Sequence, residues 1–370
     1  MSRPWLSAAL VCAALAGPAR GGEEPPASGQ PAEERVAEPL AGDELTPAAV
    51  AAINKGLEYL AKQQARDGSF SEGGGMGAAY GNANAAVVGI CGLAFLAQGN
   101  VPGRGKYAKN VEKVIDWMLK AGDRTGLLHG PNTSHGVMYE HGFATLFLAE
   151  AYGMTRDEKI KKKLQNAIRL IAQTQLDSGG WWYQPDKAPG RTSDISVTIC
   201  ETMALRAARN VGVNVPQKTV DRAIDCVKRA AQPDGGFAYQ VPDPPAQAGG
   251  GSAFPRSAAG LCILYGLGQY EAKETKAGLK YLSRALPGTG GQQHGGFGGF
   301  YFYGNYYGSQ AMYQAGGQYW AKWWPAVRQD LINKQQPNGS WTGEGGVTYG
   351  TGMACIILCI PYNYLPILQR

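Results

Sequence analysis

Gln336-Pro337-Asn338-Gly339-Ser340-Trp341 decides the fold, because the chain keeps repeating it. Gln64-Ala65-Arg66-Asp67-Gly68-Ser69-Phe70 is the first copy, and Gln175-Leu176-Asp177-Ser178-Gly179-Gly180-Trp181 the second. Gln232-Pro233-Asp234-Gly235-Gly236-Phe237 is the third, and Gln293-His294-Gly295-Gly296-Phe297 a shorter fourth. Each joins a glutamine to a polar turn, a glycine and an aromatic ring. Repetition of this kind marks an array of one supersecondary unit.

The flanks of every copy are helical. Ala51 to Gln64 sets Ile53, Leu57 and Leu60 at three- and four-residue spacing, the stripe of an amphipathic helix. Asn84 to Leu96 is apolar nearly all round, which requires burial on most sides. The same outer and inner pairing recurs as Ala108–Leu119 with Gly142–Tyr152, Ile160–Gln173 with Ile195–Val211, and Val220–Ala231 with Ser257–Leu267. Ala272–Leu286 with Tyr307–Gly317 and Trp323–Gln336 with Gly350–Ile360 complete the series.

Spacing checks the count. The turn glycines Gly68, Gly179, Gly235, Gly295 and Gly339 are 111, 56, 60 and 44 residues apart. The first gap is twice the second, so a degenerate copy belongs near its middle, where Asp123-Arg124-Thr125-Gly126-Leu127 stands. Six hairpins follow. Their inner helices lack the polar capping repeats that an open solenoid needs, so the ring must close. The expected fold is all-α, an (α/α)6 toroid, with a pocket at the mouth where the Gly-rich outer-to-inner loops run.

These repeats resemble the QW motifs of squalene-hopene cyclases and the prenyltransferase/squalene oxidase repeat, over nearly all of residues 47–370. The resemblance implies a terpenoid-cyclase-like toroid in which glutamine and ring tie outer helices to their neighbours. Gln64, Gly68, Phe70, Gln175, Gly179, Trp181, Gln232, Gly235, Phe237, Gln336, Gly339 and Trp341 would form that clamp. An amide can satisfy orphan backbone groups at a helix end while a ring covers the turn. The engines of the active relatives are missing. No Asp-x-Asp-Asp cluster is present, and Asp225-Cys226 has the wrong spacing for the prenyltransferase zinc set. The thioester segment, His-Glu-x-x-His, the Walker loop and Gly-x-Ser-x-Gly are absent too. No cofactor or metal is implied.

Residues 1–20 read as a signal peptide: Arg3, an apolar core from Leu6 to Ala16, and Gly17-Pro18-Ala19 as the cleavage site. Residues 21–46, rich in Pro, Ala and Glu, read as a disordered linker to a toroid spanning 47–370. An exported, periplasmic or secreted protein is therefore expected. With 44% hydrophobic residues the chain is globular in composition, and no apolar run is long enough for a transmembrane helix. The net charge of +6 is dispersed apart from Lys159, Lys161, Lys162 and Lys163 on one helix. That is a solvated face, without the aromatic interleaving of a nucleic-acid groove. Cys91, Cys200, Cys226, Cys262, Cys355 and Cys359 lie in apolar helical patterns and read as small buried hydrophobes, with disulfides as the alternative in an exported protein.

Candidate chemistry lies at the starts of inner helices. Asp194 is either a helix cap or a lone carboxylate kept protonated as a general acid. Glu140 and His141 are either a proton-handling pair or hydrogen-bonded structural groups. Glu150 and Glu201, deeper in apolar helices, need partners, for which Arg206 and Arg256 are available. Glu201, Arg256, Tyr306 and Tyr349 are expected to line the cavity. The run Phe297, Phe300, Tyr301, Phe302, Tyr303, Tyr306, Tyr307 and Tyr313 either packs the core, stabilises a carbocation or stacks on sugars. The function expected is non-catalytic binding of an apolar, isoprenoid-like ligand, or of a partner's segment, in the central cavity. The alternative is a terpenoid cyclase-like, lipid-acting or polysaccharide-acting enzyme with a non-standard acid site.

Overall fold

Thr46 starts the first helix of the computed structural model by accepting the amide of Ala49 on its hydroxyl, 3.2 Å away. The structure describes residues 44–71, 83–131, 136–242, 248–287 and 300–369. The expected signal peptide and most of the expected linker therefore lie outside the described residues, as does the fourth motif copy with Phe297. Outer helices α1 (Pro47–Gln63), α3 (Ala108–Lys120), α5 (Glu158–Thr174), α7 (Gln217–Ala230), α9 (Lys273–Leu282) and α11 (Gly317–Lys334) alternate with inner ones. The inner set is α2 (Ala85–Ala97), α4 (Val137–Thr155), α6 (Ile195–Asn210), α8 (Phe254–Gly266), α10 (Tyr301–Ala315) and α12 (Val347–Cys359).

The two sets bury what their patterns demand. α3 buries only Val111, Val114, Ile115 and Met118, one stripe, whereas α2 buries every residue except Ala86. Each inner helix packs on the next, and α12 packs back on α2, so the ring closes. All six cysteines expected to be small hydrophobes are buried, and none forms a disulfide among the described residues. No helix among the described residues is long and apolar enough to cross a membrane.

The motif glycines show how the ring is jointed. Gly68, Gly126, Gly179, Gly235 and Gly339 all have φ between 89° and 99°, a region favourable only to glycine. A Cβ at these positions would strike the following outer helix: 2.2 Å from the Lys113 carbonyl at Gly68, 2.8 Å from Asn166 at Gly126, 2.1 Å from Arg222 at Gly179 and 2.5 Å from Ala277 at Gly235. Gly339 meets Lys55 of α1 at 2.7 Å, which joins the last hairpin to the first. The degenerate copy at Gly126 thus does what its spacing implied.

The amide clamp is narrower than expected. Gln64 and Gln175 donate to the carbonyl of their own motif glycine and to the next outer helix, at Asn110 and Thr219. In the last hairpin this is done by Gln335, whose Nε2 lies 2.9 Å from both the Ala52 and Gly339 carbonyls. Gln336 is exposed and bonds only within its own turn, so it is not the clamp. In the third copy the register position is Ala231, and Gln232 reaches no neighbouring helix. The indoles of Trp181 and Trp341 are fully buried and donate to Ile171 and Leu331, ten residues back on their own outer helices.

Two further departures matter for the site. α10 begins at Tyr301, earlier than the apolar pattern placed it, because Glu344 accepts the amides of Phe302 and Tyr303 and so caps it. A two-stranded antiparallel ribbon, β1 (Thr192–Asp194) with β2 (Gln240–Pro242), ties the third mouth loop to the fourth.

Candidate functional site

The axis of the toroid is bridged by aromatic rings. Tyr306 of α10 reaches Phe143 of α4, which stands opposite it in the ring, with centroids 6.1 Å apart. Tyr307 packs edge-on against both Tyr306 and Tyr303, at 4.7 and 4.8 Å, and its hydroxyl lies 3.4 Å from the Cys200 thiol of α6. All three tyrosines are buried. The aromatic run is therefore core packing at this level, and Tyr306 does not line an open central cavity. An apolar ligand threaded along the axis would have to displace these rings. Three partly buried phenols, Tyr139, Tyr183 and Tyr239, gather at the start of α6.

There Asp194 organises a hydroxyl network. It caps α6, its Oδ1 accepting the Ser196 amide at 2.7 Å and the Ser196 hydroxyl at 2.5 Å. Its other oxygen accepts the Tyr183 hydroxyl at 2.5 Å. Tyr183 uses its proton on Asp194, so its contact with Tyr239 must be donated by Tyr239. By the same count Tyr139 donates to Ser196. Five side chains thus form one chain, Tyr239 to Tyr183 to Asp194, and Tyr139 to Ser196 to Asp194. Asp194 is wholly buried, while Tyr139, Tyr183 and Tyr239 are half-buried at the rim. Burial first, then the Asp194 charge, holds both Tyr183 and Tyr139 well above the usual phenol range. These tyrosines remain protonated donors at ordinary pH.

The sequence places them there by simple means. Tyr183 and Tyr239 each follow a buried clamp ring, Trp181 or Phe237, by two residues. The ribbon then brings the two loops together: the Asp194 amide donates to the Trp181 carbonyl, and the Ile195 amide to that of Tyr239. Trp182 packs at a tilt against Tyr183 with centroids 4.5 Å apart, and the Arg191 guanidinium lies over Trp182 at 5.8 Å. Arg256 covers the Tyr239 ring at 5.6 Å. Neither tyrosine was singled out in the sequence; aromatic repetition two residues past the motif was the signal available.

Glu140 and His141 do not join this network. The Glu140 carboxylate accepts the amides of Ala85 and Gly130, each at 3.0 Å, and is almost fully buried. His141 Nδ1 accepts the Leu128 amide at 3.0 Å, and Nε2 faces the Ala167 carbonyl at 3.2 Å. Burial pulls the imidazole down to about 4, against the opposing pull of that carbonyl. Through these bonds both residues stitch the second hairpin to its neighbours.

Glu201 is buried without the arginine strut foreseen for it, and Arg206 reaches Glu150 through its charge. Neither oxygen of Glu201 has a hydrogen-bond partner among the described residues, and burial alone pushes its pKa well above the carboxylate range. Glu150 is pushed up to about 8 by burial, held from rising further by the Ile367 backbone and the Arg206 charge. Arg256 sits at the mouth and not beside Glu201. Tyr349 is partly buried, and its hydroxyl donates to Glu344 at 3.2 Å. Burial raises the pKa of Glu344 in turn, offset by the amides it caps.

On the outer wall, a groove of about 540 Å³ runs between the Gln175–Trp181 turn and α7. Its arginines Arg222 and Arg229 are committed to the Leu176 and Ser178 carbonyls, so it belongs to the joint. Among the described residues no three His, Cys, Asp or Glu side chains gather as a metal would require.

A family model described as a domain of unknown function, DUF6288, matches residues 50–323. No curated protein matches the chain. Solved structures share the fold. A GH76 alpha-mannanase from Bacteroides thetaiotaomicron superposes with a TM-score of 0.61 at 12% identity, covering 88% of this chain and 98% of its own. An inactive variant of alpha-1,6-mannanase from Salegentibacter, in complex with alpha-1,6-mannotriose, gives 0.61 at 12% identity over 84% of this chain and 98% of its own. A type II terpene cyclase from Scytonema, in complex with geranylgeranyl dihydroxybenzoate, gives 0.57 at 14% identity over 87% and 99%.

Proposed function

The chain belongs to the DUF6288 family, and from that premise we propose that it is an enzyme acting on a carbohydrate at the mouth of its toroid. The observation that carries this is the hydroxyl chain from half-buried Tyr239 and Tyr139 to buried Asp194. Partly buried phenols suit a sugar, whose edge is ringed by hydroxyls that can hydrogen-bond them. The chain of hydroxyls also suits proton transfer. A proton leaving the substrate for Tyr239 passes through Tyr183 to the carboxylate, and the reverse shift returns it to a leaving oxygen. Asp194 touches no substrate in this scheme. It positions the tyrosines and holds the far end of the relay.

The mannanase neighbours support a glycan over a lipid. The chemistry is not theirs, since the Salegentibacter variant is named for two adjacent aspartates changed to asparagine, and this chain has no adjacent aspartates. The squalene-cyclase and prenyltransferase resemblance remains a reading of how the belt of turns is built, supported by the terpene cyclase among the neighbours. An isoprenoid ligand is the second reading; the bridged axis counts against it. Export, as proposed from residues 1–20, would bring the protein to extracellular polysaccharides.

Incubation with a panel of polysaccharides, followed by assay of new reducing ends, tests the proposal. Release is expected from at least one glycan. Full release by Asp194→Asn would overturn the assigned relay. Mass spectrometry of co-purified ligands gives a second test: a glycan is expected, and a bound isoprenoid would favour the second reading.

A further inference from the structure

We propose that the glycan is acidic, and that its carboxylate is bound by Arg256. This rests on the mouth being a carbohydrate site.

Arg256 differs from the other mouth arginine. Arg191 is paired with Asp186, its Nε 2.8 Å from the carboxylate. Arg256 makes no ion pair among the described residues. Its Nη2 donates to the Gly251 carbonyl, and its Nε is buried with no partner. The guanidinium is half-buried, and that burial pulls its pKa down, offset in part by Tyr281, Tyr239 and Asp194. Asp194 is the only carboxylate among these influences, and both its oxygens are already taken by Ser196 and Tyr183.

A partly desolvated cation without a counter-ion is costly unless a ligand brings one. Guanidinium offers a planar fork that matches a carboxylate with two parallel hydrogen bonds. The head group also lies over the Tyr239 ring, at the substrate end of the hydroxyl chain. A sugar resting on these phenols would therefore present its acidic group to Arg256. A neutral sugar would leave the guanidinium unmatched.

The test is binding of the full chain to polygalacturonate and alginate, against mannan and galactan as neutral probes, by affinity electrophoresis and titration calorimetry. Acidic glycans should bind more tightly, with affinity falling as salt rises. Arg256→Gln should lose about tenfold to a hundredfold of that affinity, with its melting temperature unchanged. Arg256→Lys, which keeps the charge without the fork, should lose part of it. Equal or tighter binding of neutral glycans, or an unaffected Arg256→Gln, overturns the acidic assignment and leaves the carbohydrate site standing. Failure of every glycan to bind overturns both.

Discussion

Around the outer belt, five motif glycines each meet the same object, a carbonyl on the following outer helix. Above the inner ring, the mouths of the hairpins do not repeat one another among the described residues. The third and fourth carry a β-ribbon, a buried aspartate and two tyrosines, while the second is closed by Glu140 and His141 and the sixth by Glu344 over α10. The belt repeats because every joint has the same mechanical task. Where the copies diverge, a residue is free of that task, and the divergent mouth is where the hydroxyl network lies. Repetition marks structure here, and its loss marks the candidate site.

Substitutions in the belt should therefore cost stability, and those at the mouth should not. Trp341→Ala is expected to cost most, about 3–5 kcal/mol, since it empties a fully buried site and strands the Leu331 carbonyl. Chemical denaturation measures this, and a change within experimental error would contradict the clamp.

The buried carboxyls give the next effect, through pH. Glu150 titrates near 8 in the folded chain but near its ordinary 4.5 when unfolded, so the folded form alone keeps the proton between these values. Its stabilising contribution is complete below about pH 4.5 and is lost as pH rises, by roughly 1.4 kcal/mol per unit. Glu201, raised by burial, acts in the same direction. Glu150→Gln should flatten the fall in stability between pH 5 and 8, read from denaturant midpoints; an unchanged slope would show that the carboxyl is already ionised.

Gln335→Ala should cost about 1–2 kcal/mol, because it strands two carbonyls, whereas Gln336→Ala should lie within about 0.5 kcal/mol of wild type. Reversal of that order would restore the register first read from the sequence.

The belt was legible because its cause is local. Glycine at positive φ, a ring and a helical period leave marks at fixed spacing, clear enough to locate the copy at Gly126. The one-residue slip between Gln335 and Gln336 arose because two adjacent glutamines satisfy the same pattern, and only three-dimensional register separates them. Asp194 was legible as the first residue of an inner helix. Its partners were not, since Tyr183 and Tyr239 are 56 residues apart and meet only through a short ribbon that helical periodicity does not announce. The bridged axis was equally hidden: aromatic spacing on α10 showed that the rings were present, but not that they spanned the ring.

The most direct measurement pairs activity with stability in Tyr183→Phe and Asp194→Asn. The account predicts glycan cleavage reduced by about 10²–10⁴ in both, with melting temperatures within about 2 °C of wild type, since Asn still caps a helix and Phe still packs. Retained cleavage in both variants, or a loss of stability on the scale of Trp341→Ala, would show that the mouth is one more joint of the belt.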